Sequence, residues 1–160
     1  MDIRTGFGYD VHAFEFNRKL ILGGIEIPFE KGLVGHSDAD ALLHAICDAL
    51  LGALALGDIG RHFPDTDKKY KNADSTNLLR EVKDLIIGRK YEISNIDSTI
   101  VMQRPKIAGY IKPMQKMISE ILNIEENRIS IKATTSEKLG FVGQEEGAEA
   151  YATVLIFKKD

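Results

Sequence analysis

The sequence predicts an α+β fold: a sandwich in which one mixed β-sheet is covered on one face by helices. Three observations predict it. Residues from Ile3 onward alternate as a strand does. Apolar residues between Leu42 and Ala53, and again between Leu78 and Ile86, recur at helical spacing. Strand and helix patterns then mix without strict β–α alternation. A chain of 160 residues, 44% of them apolar, is long enough to bury a sizeable core without staples, and no repeat or Pro/Ser-rich linker divides it. One domain over residues 1–160 is expected.

In residues 3 to 14, Ile3, Thr5, Phe7, Tyr9 and Val11 fall on one strand face and Asp10 and His12 on the other. Leu20 to Ile27 is two short apolar runs around Gly23-Gly24, the pair that a tight hairpin turn favours. From Ser37, with Ser37 or Asp38 as cap, a helix carries Leu42, Leu43, Ile46, Ala49, Leu50 and Ala53 and ends near Gly57. Residues 57–74 combine glycines, a proline and charges and read as a long loop, a feature that is usually functional. Ser75 can cap a second helix, with Gly88 as its stop. Tyr91 to Val101 is a strand, about Ile107 to Leu122 a third helix, and Arg128 to Thr134 a strand. Thr135 to Gly147 is a loop, and Ala148 to Phe157 the last strand.

Composition excludes several classes. The formal charge is 21 − 24 = −3, with no basic field for nucleic acid. The most apolar stretch, Ala39 to Leu56, is interrupted by Asp40, His44 and Asp48, so no membrane span is expected. The N-terminus lacks a signal-peptide pattern, which implies a cytoplasmic protein. The single cysteine, Cys47, is expected to be a buried thiol.

Three constellations could carry chemistry. Asp10 and His12 point the same way from a strand, and His44 would join them from a helix. One carboxylate and two imidazoles form a three-ligand set for a zinc-like ion with a fourth position open; the alternative is a partly buried histidine satisfied by its neighbours. Asp40 and Asp48, four residues either side of His44, could each hold its second ring nitrogen. Gly35 to Asp40 could offer a helix N-terminus to phosphate, or serve only as a cap; capping leaves His36 unexplained. Thr134, Thr135, Ser136 and Glu137 could bind phosphates and magnesium, or form a solvated loop. The segments Gly57-Asp58-Ile59-Gly60 and Phe63 to Asp67 could be turns or substrate contacts.

In combination, GYDVH, GHSDAD, His44, GDIGRHFPDTD and KATTSEKLGF resemble the 2-C-methyl-D-erythritol 2,4-cyclodiphosphate synthase family of the non-mevalonate isoprenoid pathway, over essentially the whole chain. The resemblance implies a phosphorus–oxygen lyase that closes the ring of 4-diphosphocytidyl-2-C-methyl-D-erythritol 2-phosphate and releases CMP. It implies zinc on Asp10, His12 and His44, and magnesium or manganese near Glu137 with the substrate diphosphate. His36 and Ser37 match residues near the methylerythritol phosphate; Asp58, Gly60 and Asp65 match residues around the erythritol. Met102, Gln103, Arg104, Pro105, Lys106, Ile107 and Ala108, with Ala133, Thr134 and Thr135, match the cytidine diphosphate pocket. Ser136, Phe141 and Gln144 join the substrate-binding set, as do Asp10, His12 and Glu137. The catalytic set is His36, Thr135, Glu137 and Lys132. Family members are homotrimers with active sites between subunits, and some carry a preceding cytidylyltransferase domain for which 160 residues leave no room. Gln144 stands where some members have an arginine associated with isoprenoid diphosphate binding. Two other functions use the same three ligands: a metal-dependent phosphohydrolase, and a metal-stabilised oligomeric binding protein without turnover.

Overall fold

Strand β1 (Ile3–Phe16) runs beside the final strand, β7 (Gly147–Lys158), in antiparallel register, with Asp10 opposite Ala150 and His12 opposite Ala148. The computed structural model describes residues 2–64, 66–70 and 73–159. Between those strands the chain forms β2 (Leu20–Leu22), β3 (Ile25–Ile27) and β4 (Lys31–Leu33), then α1 (Ala41–Ala53), α2 (Ile59–His62) and α3 (Ser75–Gly88). It continues through β5 (Tyr91–Val101), α4 (Ile111–Leu122), β6 (Ile129–Thr134) and α5 (Gly140–Gly143). The main sheet has the order β4-β1-β7-β5-β6, and only the β5–β6 pair is parallel, which makes it mixed. The hairpin β2–β3 turns on Gly23 and Gly24 at φ +59° and +74°, a region that side-chain-bearing residues avoid.

Helix α1 lies at the centre of the core. Its Leu42, Leu43, Ile46, Leu50 and Leu51 are fully buried, together with Ala148, Ala150 and Ile156 of β7. The helix begins later than Ser37 predicts, because its cap is Asp40. The Asp40 carboxylate accepts from the N–H groups of Leu43 (3.0 Å), Gly23 (2.9 Å) and Gly24 (2.7 Å), so one side chain caps a helix and staples a hairpin turn. Burial pushes its pKa up to about 6.

Three further expectations shift at their edges. The predicted loop 57–74 contains α2 and a 3-10 turn at Lys68–Tyr70. Asp74, not Ser75, caps α3 by accepting from Thr76 N–H. The third helix starts at Ile111 behind a 3-10 turn over Ala108–Tyr110. Cys47 is buried, and burial pushes its thiol well above the ordinary range. No helix among the described residues is long and apolar enough to cross a membrane.

The sheet's other face is open, and along β1 it is largely apolar. Phe7 is 63% exposed and Ile3 51%, with Tyr9 and Val11 beside them, and Tyr9 lies against Tyr151 with ring centroids 5.1 Å apart.

Candidate active site

Gly6, Gly8, Asp10 and His12 share the inner face of β1. A Cβ built on Gly6 would lie 1.8 Å from the Ala49 carbonyl oxygen, and one on Gly8 would lie 1.9 Å from that of Ala45. Helix α1 therefore rests backbone to backbone on the strand, and one turn further it delivers His44 to Asp10 and His12. Asp10 Oδ2 is 2.8 Å from His12 Nε2 and 3.1 Å from His44 Nδ1, and those two nitrogens are 3.3 Å apart. The three candidate ligand atoms all lie within 4.8 Å of one another.

The cluster fits a divalent metal by its donor set and by what holds each donor. His12 Nδ1 donates to the Val34 carbonyl at 2.7 Å, which leaves the Nε2 lone pair directed at the centre. Gly35 gives that ring its room, since a Cβ there would stand 3.0 Å from His12 Cε1. Burial works against the Asp10 carboxylate, yet the two imidazoles beside it, His12 and His44, hold its pKa below the ordinary range. Asp40 and Asp48 do not reach His44. Asp40 is committed to its cap, and Asp48 accepts from the Ile59 N–H at 2.7 Å, seating α2. The second nitrogen of His44 instead meets Ser75 Oγ (2.9 Å) and Ser37 Oγ (3.2 Å). Ser75 is a residue that the sequence analysis assigns only to capping.

A separate pocket of about 310 Å³ opens at the ends of β5 and β6. It is lined by Ile100, Met102, Gln103, Pro105, Lys106, Ile107 and Ala108 on one side and Ala133, Thr134, Thr135 and Glu137 on the other. Met102 N–H donates to the Thr134 carbonyl and joins the two walls. Glu137 Oε1 accepts from Thr135 Oγ1 at 3.2 Å, and Lys138 N–H donates to Gln103 Oε1.

Several sequence candidates stand apart from this lining. Arg104 turns away, and its guanidinium donates to both Glu145 oxygens (2.7 and 2.8 Å) and to Glu30. The Lys132 ammonium pairs with Asp97 at 2.8 Å. Ser136 Oγ donates to the Leu139 carbonyl, while Phe141 and Gln144 are exposed. Asp58 caps α2, with exposed Gly60 in its first turn. His36 presents a buried Nε2 with no protein partner among the described residues. Asp65 lies outside the described residues. A larger groove of about 1010 Å³ lies between the C-terminal ends of α3 and α4 and contains none of these candidates.

A half-buried three-ligand cradle and a small-molecule pocket on an α+β subunit define a metalloenzyme class. Within that class the family is specific: residues 3–157 match the YgbB family, and the chain belongs to it. It is 60% identical over 157 residues to a 2-C-methyl-D-erythritol 2,4-cyclodiphosphate synthase of Prosthecochloris aestuarii, covering 98% of this chain and 100% of the relative. A relative of that name from Clostridium botulinum (strain Alaska E43 / Type E3) is also 60% identical, with the same coverage. Among solved structures, the bifunctional IspDF of Campylobacter jejuni superposes with a TM-score of 0.95 at 45% identity, over 99% of this chain and 43% of that one. The CDP complex of Plasmodium falciparum IspF gives 0.87 at 38% identity, over 99% and 97%.

Proposed function

We propose that the chain converts 4-diphosphocytidyl-2-C-methyl-D-erythritol 2-phosphate to 2-C-methyl-D-erythritol 2,4-cyclodiphosphate and CMP, as a single cytoplasmic catalytic domain in isoprenoid precursor biosynthesis. The observation that carries this reading is the pocket in which the 102–108 turn meets Ala133, Thr134, Thr135 and Glu137. Those are the segments that the family resemblance assigns to cytidine diphosphate, and the synthases named above are similar to the chain over nearly its full length.

In the reaction an oxygen of the 2-phosphate attacks the β-phosphorus. The bond from that phosphorus to the oxygen bridging to the α-phosphorus breaks, and CMP leaves with the electron pair. This is an intramolecular phosphoryl transfer, the CMP-releasing ring closure expected of a phosphorus–oxygen lyase of this family. The nucleophile is already an anion, so the chain needs no activated serine or cysteine. Its residues hold the two ends of one flexible substrate together, an arrangement worth an effective molarity of about 10⁵–10⁸ M. Thr134 and Thr135 offer hydroxyls to the diphosphate, His36 and Ser37 serve the sugar phosphate, and Asp58 and Gly60 serve the erythritol. A divalent cation on Asp10, His12 and His44, of zinc type, and a second of magnesium or manganese type at Glu137 would supply Lewis-acid neutralisation of the phosphates.

The separation of the two half-sites supports completion of each site by a second copy. Asp10 pairs with Ala150, Ala150 with Ile100 and Ile100 with Ala133, three strand spacings or about 14 Å apart, and the pocket lining includes no cradle residue. The open face of Ile3, Phe7 and Val11 supports assembly through the sheet, and a homotrimer completes each site with Lys132 to Glu137 of a neighbour. Incubation with the cytidylyl substrate tests the reading. Cyclic diphosphate and CMP in equal amounts are expected; a linear phosphate product would make the protein a phosphohydrolase. An active monomer in sedimentation would remove the shared site.

A further inference from the structure

We propose that Ser75, held by Asp38, is a positioning residue that locks His44 in its Nε2–H tautomer and so turns the Nδ1 lone pair toward Asp10 and His12. The relay rests on the metal reading of that cluster. A neutral imidazole carries one N–H, and only the other nitrogen can ligate.

The proton count follows from the partners. Ser75 Oγ has one hydrogen and two close neighbours, an Asp38 carboxylate oxygen and His44 Nε2. The carboxylate can only accept, so the hydroxyl donates to Asp38 and offers a lone pair to His44 at 2.9 Å. Nε2 is therefore the protonated nitrogen. Ser37 Oγ accepts from Ala39 N–H and lies further from Nε2, at 3.2 Å, with a second lone pair that can accept from the same Nε2–H.

Asp38 cannot swing away, because it also accepts from the Ser75 N–H (3.0 Å) and the Asp40 N–H (3.2 Å), while its own N–H donates to the Ala73 carbonyl. Ser75 is fully buried, which excludes water from competing for the hydroxyl. The two histidines thus hold opposite tautomers. His12 is fixed by the Val34 carbonyl as Nδ1–H and presents Nε2, whereas His44 is fixed by Ser75 as Nε2–H and presents Nδ1. The N-terminus of α3, 31 residues beyond His44 in sequence, becomes part of the metal site.

Nitrogen-15 spectra of histidine-labelled, zinc-loaded protein read the tautomers directly. Metal-bound Nδ1 with protonated Nε2 is expected for His44, and the reverse for His12; a His44 bound through Nε2 overturns the relay. Zinc titration of Ser75→Ala should show a dissociation constant raised about 10- to 100-fold. Asp38→Ala, which frees the hydroxyl to donate to Nε2, should act in the same direction, and the double variant should lose no more than the larger single loss. Affinity within about twofold of wild type in Ser75→Ala, or losses that add, would overturn the proposal. The wild-type spectrum decides the matter if a variant does not fold. Failure of the wild type to bind zinc at these histidines would instead overturn the metal reading itself.

Discussion

The metal cradle and the rim of the pocket at the ends of β5 and β6 lie toward opposite edges of one sheet and hold their polar side chains in different ways. In the cradle the partners that fix the two imidazoles from outside the cluster come from elsewhere in the fold, Val34 for His12 and Ser75 for His44, and α1 itself is pressed on Gly6 and Gly8. The rim mostly bonds to itself, Thr135 to Glu137, Ser136 to Leu139 and Thr134 to the Thr135 carbonyl, and nearly all of it is exposed. A site tied to distant elements opens only when much of the fold opens, whereas a loop tied to itself opens locally. The cradle is set before any ligand arrives, whereas the rim is free to open by itself.

Four experiments break or sharpen that contrast. The largest effect is expected from Gly8→Ala, whose methyl group would meet the Ala45 carbonyl at 1.9 Å. Stability should fall by about 3 kcal/mol or more in denaturant unfolding, since the obstacle is backbone that cannot rotate aside. Next, His44→Ala should reduce zinc, measured by elemental analysis, to well under one ion per subunit while the rim's pocket persists. Unchanged zinc would remove His44 from the ligand set.

The third variant, Glu137→Gln, acts on the rim alone. Zinc content should stay at the wild-type level while CMP release falls strongly, and added magnesium should recover part of the rate where added zinc does not, because an oxygen-liganded site depends on carboxylate charge. Loss of zinc together with activity would erase the distinction between the two half-sites. The smallest effect concerns Glu145. The Arg104 guanidinium beside it holds its carboxyl below the ordinary 4.5, so the folded state binds that proton less readily than the unfolded state. The pair's contribution is present above about pH 4.5 and is lost as pH falls through the lower folded value. Hydrogen-exchange protection at Glu145 and Glu146, corrected for the intrinsic pH dependence of exchange, should fall in that window, and also in high salt, while protection in α1 stays constant.

Much of this architecture is legible in the order of residues. The glycine pair marked the β2–β3 turn, the spacing of Leu78, Leu79, Val82 and Ile86 marked α3, and Asp10, His12 and His44 marked the cradle. The alternation in β1 separated its two faces but was silent on which one is covered, because Gly6 and Gly8 carry no hydropathy signal even though they lie under α1. The cap at Asp40 was hidden for another reason: its carboxylate is also fixed by Gly23 and Gly24, 17 and 16 residues away. Arg104 fits the pocket's sequence block, yet Glu145 and Glu30 draw it out over the ring of Phe29. Long-range pairing of this kind leaves no local spacing to read.

The seat of α1 on Gly6 and Gly8 also bears on the entropy of filling the cradle. Where two elements meet through long side chains, their separation can breathe as rotamers exchange. Here no side chain intervenes on the strand, so the helix and β1 bear on each other through carbonyl oxygens and bare α-carbons, with nothing to rotate. The spacing of His44 from Asp10 then fluctuates only as the backbone does, and an ion entering between them has little motion left to arrest.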